Sequence, residues 1–486
     1  MKVIFRAVAL ALCFAVLFGL MGCGGSYKDA YIYYELGSVP KTLDPQLVKT
    51  DDEATVVRCL YDTLLRYDAD GKLIPSAAES YTVNGLVYTF KLKKDATWTD
   101  GTPVTAYDFR FGLYRALSPE TASPFASTLL SIKNADKVLA GTSPRSSLGI
   151  TVVDDYTLKI ELKGSDPEFL NTLTTPISMP CNEEFFNSCK ATYGLTLESL
   201  LLNGSYYVRI WDTEEFLIRL AKNLEFKGPF EANSMRMYFT CSNENGTKNI
   251  IKGNSDLGFV TAEEVGKIND AGLKTLAVQS QCFMLTLGKN IDKDLRTALM
   301  SSVNYQSFST LPNGYRIAEN IYPTSLKITD AGSISDTISY DVVRAAEIYN
   351  NLVKKGTQIS LVLRYVDNPV CEMAAKAIAA HWQQNLGIFI NIEKVNLDYA
   401  TTLLKGGESA VIMPFTSFGG SYSSYIASLG SKALNPKTAQ TEILSSYNYL
   451  PLFFSDKYIA YNDYIKIFDE FISYGVPDLA LITKNE

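Results

Sequence analysis

The sequence is poor in the residue types that build metal sites and nucleophilic active sites. It contains one histidine, His381, and no two cysteines stand in a CxxC spacing, so a zinc site is poorly supported. His381 falls on an amphipathic stretch, where a packed or surface histidine is several times more common than a catalytic one. The GxSxG, HExxH, P-loop and dinucleotide-binding motifs are missing as well. These absences argue against a metalloenzyme and against a histidine-dependent hydrolase.

Excess positive charge is also missing. The chain has 45 basic and 52 acidic residues and a net charge of −7, so we do not expect nucleic acid as a partner. The carboxylates Asp51, Asp52 and Glu53 would suit acid–base catalysis in a glycosidase. Because they stand where a helix opens, capping and compensation of the helix dipole explain them more simply.

Long apolar runs are confined to the N terminus. Lys2 and Arg6 flank the run from Ala7 to Leu20, whose 14 residues fall short of the roughly 20 that a membrane-spanning helix needs. The run is typical of a secretory signal peptide. The residues Leu20-Met21-Gly22-Cys23 resemble a bacterial lipobox, which predicts a signal peptide at 1–22, acyl chains on Cys23 that hold the protein on a bilayer, and a tether at 23–30. The alternative is a buried cysteine in a plain cleavage region.

Six cysteines remain besides Cys13 and Cys23: Cys59, Cys181, Cys189, Cys241, Cys282 and Cys371. Export permits disulfides, and Cys181 with Cys189 is the only close pair. We expect mostly buried free thiols, with a bridge between this pair as the alternative.

Local patterns predict a mixed α/β chain. Residues 88–119 indicate a strand, a turn at Asp100-Gly101 and a helix capped by Thr105. Further along, a strand at 359–365, a helix at 374–386 ending at Gly387 and a strand at 388–395 favour a βαβ crossover and a partly parallel sheet. The 464 residues that follow the predicted signal peptide at 1–22 suggest two to three domains by the usual length prior.

Several of these stretches resemble one family. TWTDGTPVTAYDF (97–109), Leu43-Asp44-Pro45, LIPSAAES (73–80) and Asn203-Gly204-Ser205-Tyr206, in which Ser205 stands for the usual proline, are similar to motifs of the extracellular solute-binding proteins of the oligopeptide, dipeptide and nickel class (family 5), the receptors of ATP-driven (ABC) importers. The resemblance runs from about Tyr31 to about Tyr461. It is dense before Pro119 and thin after Asp256.

The resemblance implies an α/β, two-lobe periplasmic-binding-protein-like fold (type II, cluster C-like) with an extra subdomain in the first lobe. The expected division is a first-lobe core at 31–61, 171–260 and 431–486, an outer subdomain at 62–170, and a second lobe at 261–430.

The same resemblance places a ligand between the lobes, as a strand bound through backbone hydrogen bonds. The expected contacts are Val39 and Pro40 in the first lobe, Phe125, and Phe415, Thr416, Ser417 and Phe418 in the second. No catalytic residue, metal or cofactor is expected.

One departure concerns the ligand's charge. Peptide-binding relatives carry an aspartate after an aromatic residue of the second-lobe segment, and it pairs with the ligand's amino group. Residues 414–422 of this chain include no acid. Either the ligand lacks a free amine and is mostly apolar or aromatic, or the alignment is shifted and another acid such as Asp398 fills the role. A third reading is that Phe415 and Phe418 are simply core residues.

The sequence therefore predicts a monomeric, lipid-anchored binding protein on the bacterial cell membrane, at the cell surface or the periplasmic face. It would capture a peptide or peptide-like small ligand and deliver it to ABC permease subunits. The alternatives are a surface sensor or adhesion lipoprotein that keeps the fold, and a secreted hydrolase.

Overall fold

The computed structural model describes residues 31–230, 234–242, 245–308, 310–323, 326, 328, 330–357, 361–407, 409–416, 422–433, 435–467, 472–473 and 476–484. Within these ranges no helix combines the length and the apolar character that a membrane crossing requires. The predicted signal peptide, the tether and Cys23 lie outside the described residues.

The α-helices of the described ranges are α1 (Asp51–Leu60), α2 (Ala106–Ala116), α3 (Ala135–Leu139), α4 (Phe169–Thr172), α5 (Glu183–Ser188), α6 (Gly246–Ile251), α7 (Val265–Asp270), α8 (Lys293–Ser301), α9 (Val342–Lys354), α10 (Pro369–Leu386), α11 (Leu397–Gly406), α12 (Tyr422–Ser428) and α13 (Pro436–Ser445).

The strands are β1 (Tyr31–Glu35), β2 (Leu65–Tyr67), β3 (Leu73–Pro75), β4 (Ala78–Asn84), β5 (Val87–Leu92), β6 (Ile150–Asp154), β7 (Thr157–Glu161), β8 (Tyr206–Asp212), β9 (Leu217–Lys222), β10 (Arg236–Thr240), β11 (Leu257–Val260), β12 (Lys274–Leu287), β13 (Tyr315–Ile317), β14 (Val362–Val366), β15 (Asn391–Val395), β16 (Ala410–Thr416), β17 (Tyr449–Tyr461), β18 (Ile465–Lys466), β19 (Ile472–Ser473), β20 (Val476–Pro477) and β21 (Thr483–Lys484).

One large sheet runs through the molecule. Its order is β15-β14-β16-β12-β17-β11-β1-β10-β9-β8, and β13 pairs with β17 as its eleventh strand. Strands β1, β10 and β11 are mutually parallel in one half of the sheet, and β14, β15 and β16 are parallel in the other. Two groups of parallel strands are therefore joined by the antiparallel pair of long strands β12 and β17.

Buried apolar side chains form two main cores. The first gathers residues 32–241 together with Leu257, Val278, Ile459, Ile465, Leu479 and Ile482, and the second extends from Cys282 to Phe454. Strands β12 and β17 contribute to both, and their register shifts between Ala277 and Gln279, close to where β12 passes from one core to the other. We call the two halves the first and second lobes. The β12–β17 pair connects them.

The chain returns to the first lobe later than the predicted boundary at residue 431. Side chains of α13 and the first half of β17, such as Ile443 and Leu450, pack in the second core, and the first core resumes at Ile459. Apolar helix and strand patterns look alike whichever core they face, so the sequence alone did not distinguish the two.

The C-terminal segment completes the first lobe. Asp478 accepts hydrogen bonds from Nη2 of Arg58 at 3.1 Å and from Nη2 of Arg66 at 3.2 Å, and all three side chains are buried. Burial by itself would raise the pKa of the Asp478 carboxyl, but the two guanidinium groups hold it below its usual range. A segment more than 400 positions away is thereby fixed against α1 and β2.

The predicted strand, turn and helix of residues 88–119 are confirmed as β5, the turn at Gly101 and α2. Strand β5 lies in a four-stranded antiparallel sheet of order β4-β5-β7-β6. This sheet falls inside the predicted outer subdomain at 62–170, yet its buried side chains, such as Phe90 and Ile160, belong to the first core.

Two of the sequence motifs meet in space. Asp44 of the Leu-Asp-Pro motif pairs with Arg115 of α2, with Oδ1 to Nη1 at 3.1 Å and Oδ2 to Nη2 at 2.6 Å. The carboxylate is 1% exposed and the guanidinium 7%. This bidentate pair fastens the loop after β1 to the helix of the most recognisable motif.

The predicted βαβ crossover is confirmed. Strand β14 is followed by α10 and then by β15, and the two strands pair in parallel. Helix α10 ends at Gly387, whose φ of 70° is the left-handed conformation that glycine adopts most readily. His381 on this helix is half-buried, and burial lowers its pKa.

Cys59, Cys181, Cys189, Cys282 and Cys371 are free thiols, and the sixth cysteine of the described residues is Cys241. All are buried except Cys189, which is half-exposed, and Cys181 and Cys189 are not bonded to each other.

Candidate functional site

A cleft of about 600 Å³ separates the two lobes. Its first-lobe wall consists of the loops that follow β1 and β11, the start of α6 and the N-terminal end of α1. Because β1 and β11 are parallel, their carboxyl ends and the loops after them lie at the same edge of the sheet.

The second-lobe wall is built in the same way. Thr416 ends β16 and Leu397 follows β15, and both strands run parallel to β14. Gln281, Tyr315 and residues 455–457 of β17 form the floor toward the connecting strands. The cleft therefore lies at the carboxyl ends of parallel strands in both lobes, the usual place for a ligand in open α/β sheets.

Glu35 at the end of β1 is a buried carboxylate on the first-lobe wall. It accepts hydrogen bonds from Oγ1 of Thr240 at 2.9 Å, from Oγ of Ser255 at 3.1 Å and from Nδ2 of Asn249 at 3.4 Å, and also from the backbone N–H of Ser242. Since its acceptor positions are filled from the protein side, we assign it to holding the loops of this wall together.

Three carboxylates stand at the start of α1, and those of Asp51 and Asp52 line the cleft. Glu53 forms a capping box with Thr50: Oε2 of Glu53 accepts from the Thr50 N–H at 3.3 Å, and Oγ1 of Thr50 accepts from the Glu53 N–H at 3.2 Å. The capping interpretation is thus confirmed for Glu53. Asp52 accepts from the Gly37 N–H at 3.1 Å and from Oγ of Ser38 at 2.6 Å, and burial outweighs these bonds and raises its pKa.

Asp51, the first residue of α1, forms an ion pair with Lys457 of β17 inside the cleft. Its carboxylate is 13% exposed and the lysine 41%. Burial would lower the pKa of Lys457, but the adjacent carboxylate of Asp51 more than compensates and raises it. The ammonium also stands 6.0 Å from the centre of the Phe259 ring. The pair therefore joins the first-lobe wall to a strand that connects the lobes.

The residues predicted in the first lobe, Val39, Pro40 and Phe125, are not among those that line the cleft. Ser38 lines it, whereas Val39 and Phe125 pack against the first core and Pro40 is buried. The expectation for Val39 and Pro40 concerned their backbone, and it stays a prediction.

The second-lobe segment behaves as a strand with alternating faces. Pro414 and Thr416 line the cleft, while the ring of Phe415 packs edge-to-face on Tyr449 with centroids 5.6 Å apart in the second core. Ser417 and Phe418 lie outside the described residues. For Phe415, the core position that the sequence left open is the one observed.

The charged pair of the cleft is not among the residues predicted from the sequence. Asp51 is predicted there as a helix-opening residue, with acid–base catalysis as the less simple interpretation, and Lys457 is not predicted at all. A usable signal was Asp456-Lys457, two charges that interrupt the apolar and aromatic strand β17. Asp398, the acid suggested as a substitute, is exposed in the first turn of α11 and does not line the cleft.

Comparison with known sequences gives a match over most of the chain. Residues 72–446 match the family described as bacterial extracellular solute-binding proteins, family 5 Middle. The periplasmic oligopeptide-binding protein OppA of Escherichia coli (strain K12) is 36% identical over 188 residues, 37% of this chain and 34% of that protein. The probable deoxycholate-binding periplasmic protein YgiS of the same organism is 28% identical over 376 residues, 74% of this chain and 70% of that protein. The matched region thus spans only a third of the length of OppA.

Solved structures share the fold over nearly the whole length. OppA of Burkholderia pseudomallei superimposes with a TM-score of 0.77 at 18% identity, covering 94% of this chain and 99% of that one. The murein tripeptide-binding protein MppA of Escherichia coli gives a TM-score of 0.77 at 20% identity, covering 94% and 98%. The predicted two-lobe α/β fold is confirmed.

Proposed function

The chain belongs to the bacterial extracellular solute-binding proteins of family 5, and from this we propose that it captures a peptide or peptide-like ligand between its lobes and delivers it to the permease of an ABC importer. The family is one of binding proteins. Oligopeptides and a murein tripeptide are named in the descriptions of its relatives, which supports this class of ligand.

The observation that carries the proposal is the cleft itself. Its two walls belong to separate cores, and the floor belongs to β12 and β17, the strands that connect those cores. A ligand that contacts both walls favours the state in which the lobes are closed on it, and a permease can recognise that state.

The second-lobe wall supports binding of an extended peptide. Among the described strand pairings, β14 follows β16 only as far as Ile412, so that residues 413–416 run past the end of β14. A ligand strand laid along this extension would gain backbone hydrogen bonds without depending on its side chains. Pro414 has no N–H and would contribute its carbonyl oxygen alone.

We further propose that Cys23 carries the lipid anchor, that the protein works at the cell surface or the periplasmic face as a monomer, and that it catalyses no reaction on its ligand. The names of its relatives support an extracytoplasmic location. Genes for two permeases and two ATPases beside its own would support transport, and their absence would favour the sensor or adhesion alternative.

The proposal is tested first by native mass spectrometry of the protein purified from its own host, which identifies any ligand retained in the cleft. Calorimetry with tri- to pentapeptides then measures affinity. We expect a bound peptide-like molecule and submicromolar dissociation constants for some peptides. Turnover of peptides or glycosides by the purified protein, or the absence of any peptide binding, would overturn the proposal.

A further inference from the structure

The cleft has more negative than positive side chains. Its lining includes the carboxylates of Glu35, Asp51, Asp52, Glu263, Glu264 and Asp456 and the ammonium groups of Lys49 and Lys457. The carboxylate oxygens of Glu35 already accept hydrogen bonds from residues of the first lobe. Oε2 of Glu264 accepts a hydrogen bond from the Thr261 N–H at 3.1 Å. Asp456 forms an ion pair with Arg316, with Oδ1 to Nη2 at 3.4 Å. Their contacts give these three carboxylates structural roles.

Asp51 differs because its partner is a cleft-lining primary ammonium on a long side chain. Lys457 reaches it from β17, and nearly half of the lysine side chain is exposed. Four rotatable carbon–carbon bonds let such a side chain leave its partner at little cost, since an ammonium is well solvated. Thus the structure holds an ammonium group on Asp51 by a contact that can be exchanged.

We infer that Lys457 occupies on Asp51 the position that the ligand's own ammonium group takes when the ligand binds. This inference rests on the proposed function and adds the charge of the ligand to it. The protonated amino terminus of a peptide is an ammonium group, as is the end of the lysine side chain. Asp51 is the first residue of α1, where the helix dipole interacts favourably with a negatively charged side chain.

The exchange would supply from the first lobe the acid that residues 414–422 lack. Asp52 next to it cannot take this role as easily, because its two oxygens already hold Gly37 and Ser38. The displaced Lys457 would remain between the solvent and the Phe259 ring, where a cation is tolerated. Asp51 would therefore still be paired with one ammonium group, the ligand's in place of that of Lys457.

The test uses a library of tri- to pentapeptides, each in a free-amine and an N-acetylated form, with calorimetry on the wild type, Asp51→Asn and Lys457→Gln. We expect the wild type to bind the free-amine forms about tenfold or more tightly than the acetylated ones, as for a charge-assisted contact. Asp51→Asn should abolish this preference. Lys457→Gln should strengthen binding of the free-amine forms by about tenfold, because it removes the internal competitor.

A matched control is the exposed ion pair Lys133–Glu161 outside the cleft, with Nζ to Oε1 at 2.8 Å. Lys133→Gln and Glu161→Gln remove the same charges, so they should leave the affinities unchanged. Thermal unfolding of each variant verifies the fold, and the capping box of Thr50 and Glu53 remains in Asp51→Asn.

Two measurements decide whether the inference holds: the direction in which Lys457→Gln changes the affinity, and the effect of N-acetylation on binding to the wild type. Weaker binding in Lys457→Gln overturns the inference, because the lysine would then bind an anionic group of the ligand. An affinity indifferent to N-acetylation also overturns it, while the proposed function survives as long as peptides bind. If no peptide of the library binds the wild type or Lys457→Gln, the proposed function and the inference both fail.

Discussion

Replacing Asp44 by asparagine removes the carboxylate that compensates a buried guanidinium. Arg115 donates from Nη1 to Oδ1 at 3.1 Å and from Nη2 to Oδ2 at 2.6 Å. The pKa of Arg115 is raised: burial acts against the charged form, and the hydrogen bonds and charge of Asp44 more than compensate. In Asp44→Asn the guanidinium stays charged and buried without an opposite charge beside it.

The expected loss of stability is the cost of breaking the buried ion pair, reduced by the contacts that Arg115 keeps. Breaking a buried ion pair by removing one partner costs about 3–5 kcal/mol. Arg115 keeps a hydrogen bond to Oε1 of Gln46 at 2.7 Å and lies over the rings of Phe186 and Tyr193, 4.1 and 5.0 Å from their centres. These contacts offset about 1–2 kcal/mol. We therefore expect the free energy of unfolding to fall by about 3 kcal/mol in Asp44→Asn.

The assay is urea unfolding followed by tryptophan fluorescence and circular dichroism, with Glu161→Gln as the matched control. Glu161 and Lys133 form an ion pair of similar length, but their side chains are 44% and 48% exposed. Solvent screens such a pair, so the control should lose about 0.5 kcal/mol or less.

The reasoning is refuted if the free energy of unfolding falls in Asp44→Asn by no more than about 1 kcal/mol beyond its fall in the control. Burial of the ion pair would then make no difference to the cost of removing one partner. The double variant Asp44→Asn, Arg115→Met gives an independent measure. Arg115→Met removes the guanidinium charge that Asp44→Asn leaves uncompensated. The double variant should therefore be at least ~2 kcal/mol more stable than the sum of the losses in the two single variants predicts.

Three further predictions concern other parts of the chain. Gly204→Ala should abolish soluble expression or lower the unfolding midpoint sharply, because its Cβ would fall 2.6 Å from the backbone nitrogen of Tyr61. Burial lowers the pKa of His381 from 6.5, so the unfolded chain takes up the proton first and stability is lost as the pH falls below about 6.5. His381→Gln should flatten this part of the stability profile, measured by thermal unfolding at neutral and mildly acidic pH. Iodoacetamide followed by mass spectrometry should label Cys189 before the five buried thiols; burial raises the pKa of Cys181, for example, to about 12.

Individual helices, strands and turns could be predicted because each depends on residues only a few positions apart in the sequence. The strand, turn and helix of residues 88–119 and the helix that ends at Gly387 are dictated by alternation, helical spacing and glycine within a few positions. The family motifs added the two-lobe fold. They also marked Asp44 and the start of the helix that carries Arg115, although nothing in the motifs says that these two side chains pair.

The cleft was less predictable because its parts are distant in the sequence. Asp51 and Lys457 lie 406 positions apart, and no periodicity or spacing links them. Residues expected from the resemblance, such as Phe125 and Phe415, are packed in the two cores, since an aromatic in a strand or turn looks the same whether it faces a ligand or the interior.

The buried position of Asp478 between Arg58 and Arg66 has a consequence for biosynthesis. A chain made from its N terminus has the whole second lobe, Cys282 to Phe454, available before Asp478, which bridges these two arginines, has been synthesised. The first lobe starts to form earlier, but its core can be completed only after Asp478 has left the ribosome. A truncated chain that ends soon after Phe454 would therefore retain a complete second core and an incomplete first one, with two buried guanidinium groups lacking the carboxylate that bridges them.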